Sequence, residues 1–244
     1  MKLRHLCAVS LLAASSSATA ADLDLGGLLN NQTGFEELSE NLTAAMSYKA
    51  VTPAEALSSG LLPFGFDVGL EVSSTAIDND SIFNDAFSGD APSSIIIPKL
   101  HAHVGLPFGI DVGAFVTSIP STNIKLTGYE LRYAILDGGM ATPAVGIRAS
   151  GTMLSGVDDY DFSSRSIDIS ISKGFVMLTP YAGIGKVWAD SEITNPALGL
   201  ENVDVSQSKY FAGLNINMGL FNIAVEGDKT GDYSSYSAKL GLRF

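Results

Sequence analysis

Apolar and polar residues alternate with a period of two along most of the chain from residue 64 onward. The decapeptides PFGFDVGLEV at residues 63–72 and PFGIDVGAFV at residues 107–116 repeat one such pattern, each with an aspartate among apolar residues. Successive side chains of a β-strand point to opposite faces, so Asp67 and Asp111 lie opposite the aliphatic residues. The repeat therefore predicts strands that have one apolar and one polar face.

The same alternation recurs often enough to predict ten strands. They cover residues 64–73, 98–106, 110–117, 128–135, 144–153, 166–172, 178–188, 209–218, 221–226 and 235–244. The connections are tight near residues 107–108, 137–140, 173–175 and 219–220, and long near residues 75–93, 154–162 and 190–205. Short and long connections that alternate are typical of a transmembrane barrel, which has periplasmic turns at one end and extracellular loops at the other.

Aromatic residues cluster toward both ends of the predicted strands. Those near the tight turns are Phe64, Phe66, Phe108, Phe175, Phe221 and Phe244, and those toward the loops are Tyr160, Trp188, Tyr210, Tyr233 and Tyr236. Two such girdles mark the interfaces between a membrane barrel and water. The alternative is a soluble sandwich, which buries its apolar face between two sheets. Turn lengths favour an all-β fold, a transmembrane antiparallel β-barrel of about ten strands.

Residues 21–62, before the first strand, predict a short helical segment. Thr33-Gly34-Phe35-Glu36 has the pattern of a capping box, at which a helix begins. Thr52-Pro53-Ala54-Glu55 predicts a second short helix, which ends at Ser59-Gly60. A strand at residues 44–51 is an alternative for part of the segment. The segment is either a strap outside the barrel or a plug that enters it, and strand parity predicts that it lies at the periplasmic mouth.

Residues 1–20 have the pattern of a cleaved signal peptide. Lys2 and Arg4 precede an apolar stretch, and Ala18-Thr19-Ala20 forms a small-residue cleavage site. Cleavage removes Cys7, the only cysteine, so no disulfide is expected. It also leaves 12 of the 14 basic residues against 26 acidic ones, a formal charge of −14 that argues against nucleic acid as a partner.

The C-terminal stretch carries the most specific family signal. Tyr236, Leu240, Leu242 and Phe244 share one face of the last predicted strand, and Phe244 ends the sequence. This stretch resembles the final strand of Gram-negative outer-membrane β-barrels, whose C-terminal Phe is read by the barrel-assembly machinery. The resemblance implies that residues 63–244 form a barrel in the cell outer membrane, surrounded by lipid and lipopolysaccharide. The general likeness is to outer-membrane barrels of unassigned function, and the helices before the barrel give a weaker likeness to fatty-acid-transporter-type barrels.

The polar face of the predicted barrel carries charges of both signs. The acids are Asp67, Glu71, Asp111, Glu130, Asp168, Glu226 and Asp228, the bases are Lys99, Arg132, Arg148, Lys209, Lys239 and Arg243, and His101 and His103 can join them. A ring of one sign would indicate an ion-selective constriction. A nearly balanced set in a narrow lumen instead predicts a network of salt bridges.

His101 and His103 form the most specific local pattern, because both imidazoles lie on the polar face of one strand. Counting residues through the hairpin at Pro107 places Asp111 beside His103, and two histidines with a carboxylate can hold zinc. A hydrogen-bonded interior is nevertheless the favoured interpretation, so the sequence predicts no metal, no cofactor and no catalytic residue. Nucleophilic chemistry would need a serine beside these histidines.

The sequence thus predicts an integral outer-membrane barrel that acts as a narrow channel or transporter for a small solute or an apolar molecule. The transport part rests on analogy between folds, and a fold does not specify an activity. Two alternatives stay open. One is a non-conducting barrel that stabilises the envelope or presents its loops, and the other is a barrel enzyme that uses His101 and His103 with lumenal acids.

Overall fold

Antiparallel strands form a closed barrel in the computed structural model. The structure describes residues 25–57, 64–78, 80–86, 93–118, 124–139 and 141–243. The strands are β1 Gly65–Ala76, β2 Ser94–Leu106, β3 Ile110–Ser118, β4 Lys125–Asp137, β5 Ala144–Ser155, β6 Tyr160–Ser172, β7 Leu178–Ile193, β8 Val203–Met218, β9 Phe221–Thr230 and β10 Tyr233–Arg243. The α-helices are α1 Gln32–Met46, before β1, and α2 Asp80–Ala86, between β1 and β2. The expected signal peptide and Phe244 lie outside the described residues.

Pairing of the first strand with the last closes the sheet. β1 runs antiparallel to β10, with Asp67 opposite Arg243 and Thr75 opposite Ser235, and the other strands pair with their neighbours in sequence. Closure gives each strand two hydrogen-bonded neighbours and so removes the free edges of the sheet. The predicted antiparallel barrel of ten strands is confirmed.

The two faces of the barrel wall have opposite chemistry. Along β1, the side chains of Asp67 and Glu71 are buried in the lumen, whereas Leu70 on the outer face is 62% exposed. Asp111, the aspartate of the second decapeptide, is buried in the lumen as well. A soluble sandwich would bury these aliphatic side chains between its sheets, whereas a membrane barrel turns them toward lipid. The sandwich alternative is therefore wrong, and both aspartates lie on the polar inner wall.

The two ends of the barrel differ in the length of their connections. Tight turns join the strands at the end that we call the turn end, as at Pro107–Gly109. The opposite end, which we call the loop end, carries helix α2, between β1 and β2. The long connection predicted at residues 154–162 is wrong, because β5 continues to Ser155 and β6 begins at Tyr160. Backbone pairing does not depend on side-chain polarity, so polar residues extend these two strands beyond the apolar alternation.

The N-terminal segment departs from its predicted secondary structure. α1 begins after Asn31, whose side-chain oxygen accepts a hydrogen bond of 3.1 Å from Gly34 N–H. The predicted start at Thr33 is wrong, because Asn31 caps the helix earlier and Thr33 lies within its first turn. Residues 52–57 are not helical and residues 44–51 do not form a strand, whereas residues 58–63 lie outside the described part. Of the described helices, none has the length and apolar character that a membrane span requires.

α1 lies across the loop end of the barrel and packs into an apolar core there. Asn41 Nδ2 donates to the carbonyl oxygen of Ala76, the last residue of β1, at 3.1 Å. The ring of Phe35 meets that of Tyr160, the first residue of β6, edge to face at 6.2 Å between centroids. We call the core residues around α1 the apolar cap, namely Leu25, Leu28, Phe35, Leu38, Leu42, Phe83, Tyr160 and Leu198.

Candidate functional site

Residues 47–57 follow α1 into the lumen, and we call them the lumen segment. Near the loop end, Lys209 Nζ donates to the carbonyl oxygen of Tyr48 at 2.7 Å. Lys49 Nζ lies 3.3 Å from Asp228 Oδ1, and both side chains are fully buried. The half of the lumen segment near the loop end is therefore held by charged groups of β8 and β9.

The other half of the lumen segment contacts the barrel wall near the turn end. Ala54 N–H donates to the hydroxyl oxygen of Ser172, the last residue of β6, at 3.2 Å, and Leu57 N–H donates to Asp111 Oδ1 at 3.1 Å. A β-carbon on Gly65 would lie 2.2 Å from the carbonyl oxygen of Leu57, so only glycine allows the backbones to approach this closely. These bonds to the wall replace the hydrogen bonds of the second predicted helix, which explains its absence at residues 52–57.

The chain thus crosses the whole barrel before it forms the first strand. Gly65 at the start of β1 and Arg243 at the end of β10 both lie at the turn end, as strand parity requires. α1 lies at the opposite end, whereas the sequence predicted helices at the mouth formed by the tight turns. The difference has a physical reason, because the apolar face of α1 needs apolar partners and the loop end supplies them in Phe83 and Leu198.

Charges of opposite sign pair across neighbouring strands of the inner wall. The register places Glu71 directly opposite Lys99, and Lys99 Nζ lies 2.8 Å from Glu71 Oε1. Arg148 lies opposite Asp168 in the same way, at 2.9 Å. Both partners of each pair are buried, so removal of one partner would leave an uncompensated charge in the lumen.

One arginine joins the wall network to the lumen segment. Arg132 on β4 donates from Nε to Asp111 Oδ2 at 3.0 Å, and its Nη2 contacts the same oxygen. Its Nη1 donates to the carbonyl oxygen of Pro53 at 2.7 Å. Because Asp111 also accepts the backbone N–H of Leu57, the Arg132–Asp111 pair holds the segment at two points.

The remaining charged residues that the sequence singled out also face the lumen. Glu130 lies 3.7 Å from Arg148 Nη1 through its Oε2, and Glu226 is buried on β9. Lys239 Nζ lies 2.9 Å from Asp67 Oδ2. Arg243, at the turn end, is only half-buried. The structure thus brings the predicted inward charges into one lumen.

Sequence reasoning missed the contribution of Tyr48 and Lys49 to this lumen. Neither residue belongs to a strand, so the period-two alternation could not assign them to a face. One signal was available, since Lys49 is the sole basic residue between Arg4 and Lys99. An isolated lysine after an apolar helix needs either water or a buried acid, and Asp228 is that acid.

His101 and His103 lie side by side in the lumen, but Asp111 is not their carboxylate. The turn at Pro107–Gly109 sets a register in which His103 faces Gly113, and Asp111 faces Gly105. The expected pairing of Asp111 with His103 is therefore wrong. A β-carbon on Gly113 would lie 2.0 Å from Cδ2 of His103, so this glycine makes room for the imidazole. The nearby carboxylates belong to Asp67, which is 3.3 Å from His101 Nε2, and Glu130.

Two oxygen atoms face one ring nitrogen of His103. Both the hydroxyl of Tyr48, at 3.1 Å, and Oε1 of Glu130, at 3.3 Å, face the same ring nitrogen, Nε2. A relay needs the nucleophile and the orienting acid on different ring nitrogens. The hydroxyl group beside His103 belongs to Tyr48, whereas the enzyme hypothesis from the sequence called for a serine.

The outer wall has the features of an outer-membrane β-barrel. Leu240 and Leu242, on the last strand, point outward and are about half exposed, and Tyr236 at the loop end is 74% exposed. An apolar outer face, a polar lumen and a closed antiparallel sheet together satisfy the demands of a bilayer, which cannot hydrogen-bond to a sheet edge. Phe244, the last residue of the predicted assembly signal, lies outside the described residues.

The chain resembles solved outer-membrane barrels in fold alone. No protein-family model matches the sequence. No curated protein sequence matches it. The β domain of the Bordetella autotransporter BrkA is 9% identical, with 75% of this chain and 100% of that chain covered and a TM-score of 0.46.

Two further structures show likenesses of the same kind. The translocator domain of autotransporter NalP from Neisseria meningitidis is 10% identical, with 89% and 99% of the two chains covered and a TM-score of 0.41. OmpTdeltaL8, an outer membrane protein of Vibrio cholerae, is 11% identical, with 61% of this chain and 54% of that chain covered and a TM-score of 0.35. The match therefore spans about half of the Vibrio protein. These likenesses assign no activity to this chain.

Proposed function

We propose that this protein is an outer-membrane barrel that its own lumen segment closes at rest, and that a small solute passes when the segment leaves the lumen. The observation that supports the proposal is the path of the segment, which contacts Lys209 near the loop end and Asp111 near the turn end. The side chains of both wall residues are buried. A barrel of ten strands is only slightly wider than one of eight, in which side chains fill the interior.

The two ends of the barrel suggest its orientation in the membrane. Tight turns of outer-membrane barrels face the periplasm, and longer loops face the outside. In that orientation the apolar cap closes the extracellular mouth, beside lipopolysaccharide, and Leu57 lies at the periplasmic mouth. A solute that enters from outside would meet the cap before the polar lumen.

The lumen segment and the apolar cap are held by interactions that differ in how easily water replaces them. The lumen segment is held largely by hydrogen bonds and ion pairs. Water can replace a neutral hydrogen bond at a net cost of about 0.5–1.5 kcal/mol and a hydrogen bond to a charged group at about 1.5–3 kcal/mol. The apolar cap excludes water from the mouth, and exposure of its side chains costs about 25 cal/mol for each Å². We therefore expect the cap to provide most of the resistance to opening.

A disulfide between the lumen segment and the wall tests the proposal. The β-carbon of Ala54 lies 3.7 Å from the position of a β-carbon on Gly146, within the range of about 3.5–4.5 Å seen in disulfides. The only natural cysteine is Cys7, in the expected signal peptide. The double variant Ala54→Cys, Gly146→Cys therefore allows the segment to be locked by oxidation and released by reduction.

Conductance in planar bilayers is the measurement. We expect opening events in the reduced double variant and in the wild-type protein, and their loss when the variant is oxidised. Each single-cysteine variant serves as the matched control and should not respond to oxidation. Silence of the wild-type protein, the reduced variant and a folded variant that lacks residues 22–57 would contradict the proposal. Heat-dependent gel mobility shows whether each protein is folded.

A non-conducting barrel that presents its loops is the second candidate function. It is favoured by the apolar cap, in which α1, α2 and the loop at Leu198 pack together into one surface at the loop end. The same conductance series separates the two candidates, because this function predicts silence of every folded variant.

A further inference from the structure

Asp67, His101 and His103 meet on the inner wall of the barrel. Each offers one ligand atom, and these atoms all lie within 4.8 Å of one another. The register brings them together, because Asp67 lies directly opposite His103 and His101 lies two residues away on the same face. Bonds of about 2.0–2.2 Å place the ligand atoms of a tetrahedral zinc site about 3.4 Å apart. Small side-chain rotations would therefore bring all three ligand atoms to one ion.

We propose that Asp67, His101 and His103 form a binding site for a divalent transition-metal ion such as zinc. This inference goes beyond the proposed passage of a solute and does not depend on it. Two imidazole nitrogens with one carboxylate oxygen suit zinc, cobalt or nickel, whereas calcium and magnesium prefer oxygen ligands throughout.

Buried polar atoms around the cluster lack hydrogen-bond partners, which supports a bound cation. In the described part of the chain, His101 Nδ1 and both carboxylate oxygens of Glu130 have no hydrogen-bond partner, and Glu130 Oε2 pairs with Arg148 only at the longer distance of 3.7 Å. His103 Nε2 faces two oxygen atoms, those of Tyr48 and Glu130, and a single N–H can point at only one of them. A metal ion on this nitrogen would attract both oxygens at once.

The charges around the cluster leave one ligand atom of Asp67 available. Lys239 Nζ pairs with Asp67 Oδ2 at 2.9 Å, whereas Oδ1 points at His101 Nε2 at 3.3 Å. The lysine and Arg243, which lies opposite Asp67, repel a cation and so weaken binding, and the Glu130 carboxylate beside His103 offsets part of that repulsion. We therefore expect weaker binding than in a zinc finger, with selectivity that comes from the imidazoles.

Burial of all three residues makes entry of an ion into the folded barrel slow. The metal is therefore added during refolding, and excess metal is removed afterwards by gel filtration. The third histidine of the sequence is His5, in the expected signal peptide, so the mature chain carries only His101 and His103. Without a histidine tag, any imidazole signature of bound metal must come from this pair.

The test refolds the untagged protein in detergent with zinc or cobalt. We expect about one retained ion per chain, and visible absorption bands of tetrahedral cobalt. The variant His101→Gln, His103→Gln should lose both signals, whereas Asp161→Asn, which removes an exposed acid at the loop end, should keep them. Equal retention by the wild-type protein and the double variant would overturn the proposal, and so would equal loss in Asp161→Asn.

Nuclear magnetic resonance of the imidazole groups provides a second readout that needs no variant. Zinc present during refolding should shift the ring signals of both histidines of the wild-type protein. Unshifted signals in the folded protein would overturn the site even if the double variant fails to fold. The measurement involves no conductance, so a failed metal site and a failed passage are distinguishable.

Discussion

The apolar cap and the polar lumen are held by different forces, although one continuous N-terminal segment takes part in both. In the cap, Phe35 and Leu38 are fully buried among apolar side chains. In the lumen, Tyr48 and Lys49 bond to charged or polar groups of the wall. Hydrophobic burial has no preferred direction, whereas each buried polar group depends on one particular partner. The apolar cap therefore anchors the N-terminal segment, and the partners in the lumen determine where residues 47–57 lie.

The largest effect is expected where a buried charge loses its partner. Arg132→Met would leave the Asp111 carboxylate unpaired in the lumen and would remove the bond to Pro53. We expect the free energy of unfolding to fall by about 3–5 kcal/mol. Urea unfolding in lipid vesicles, followed by the fluorescence of Trp188, the only tryptophan, measures the loss.

A second substitution checks the cause of this loss. Asp111→Asn in the Arg132→Met background removes the unpaired charge and should recover most of the lost stability. If the double variant is as unstable as Arg132→Met, the loss comes from packing and not from charge. Arg132 would then stabilise the barrel by packing, as the residues of the apolar cap do.

The next largest effect is expected in the cap and should stay local. Leu38→Ala creates a cavity under α1 and should weaken the docking of the helix by about 2–5 kcal/mol. Limited proteolysis should cleave α1 sooner, while the heat-dependent gel mobility of the barrel is unchanged. Leu29→Ala is the matched control, because Leu29 is 54% exposed. Global unfolding of the Leu38→Ala barrel would show that the two regions are not independent.

A smaller effect is expected at the start of α1. Asn31→Ala removes the side chain that accepts the N–H of Gly34 and should destabilise the helix by about 1 kcal/mol. Thr33→Ala should change the stability far less, because Thr33 is exposed in the first turn. Amide hydrogen exchange at the first turn measures the helix stability of both variants. A larger loss of stability in Thr33→Ala would support the predicted capping box at Thr33 instead of the cap at Asn31.

The smallest effect is expected from the acids on the outer side of α1. Burial, and then the charges of Asp232, Glu37 and Glu36, raise the pKa of Glu40 above its ordinary value of 4.5. A raised pKa means that the folded state favours the protonated acid, so this contribution to α1 docking is present at acidic pH and is lost as pH rises through the folded pKa.

Protease resistance of α1 measures this pH dependence. We expect resistance to decrease slightly from acidic to neutral pH in the wild-type protein. Glu40→Gln cannot ionise, so its resistance should change less over the same range. An equal pH dependence in both proteins would assign the effect to other groups.

Particular residues show how far the sequence could predict the site. Asp67 and Asp111 could be assigned to the lumen because alternation along a strand is local. The partner of His103 could not be assigned, because the register depends on how many residues the turn at Pro107–Gly109 uses. The route of Tyr48 through the lumen was also beyond prediction, since it depends on contacts with residues far along the chain, such as Lys209.

The sequence by itself determined the strands and their two faces, because the period-two pattern separates apolar from polar side chains, and its turn lengths favoured a barrel. It also determined which charges of the strands face the lumen. Only the tertiary structure decided which charges pair, where α1 lies and how residues 47–57 cross the barrel. The reason is physical: faces follow from neighbours along the chain, whereas pairing and threading follow from contacts between distant residues that exist only once the barrel has closed.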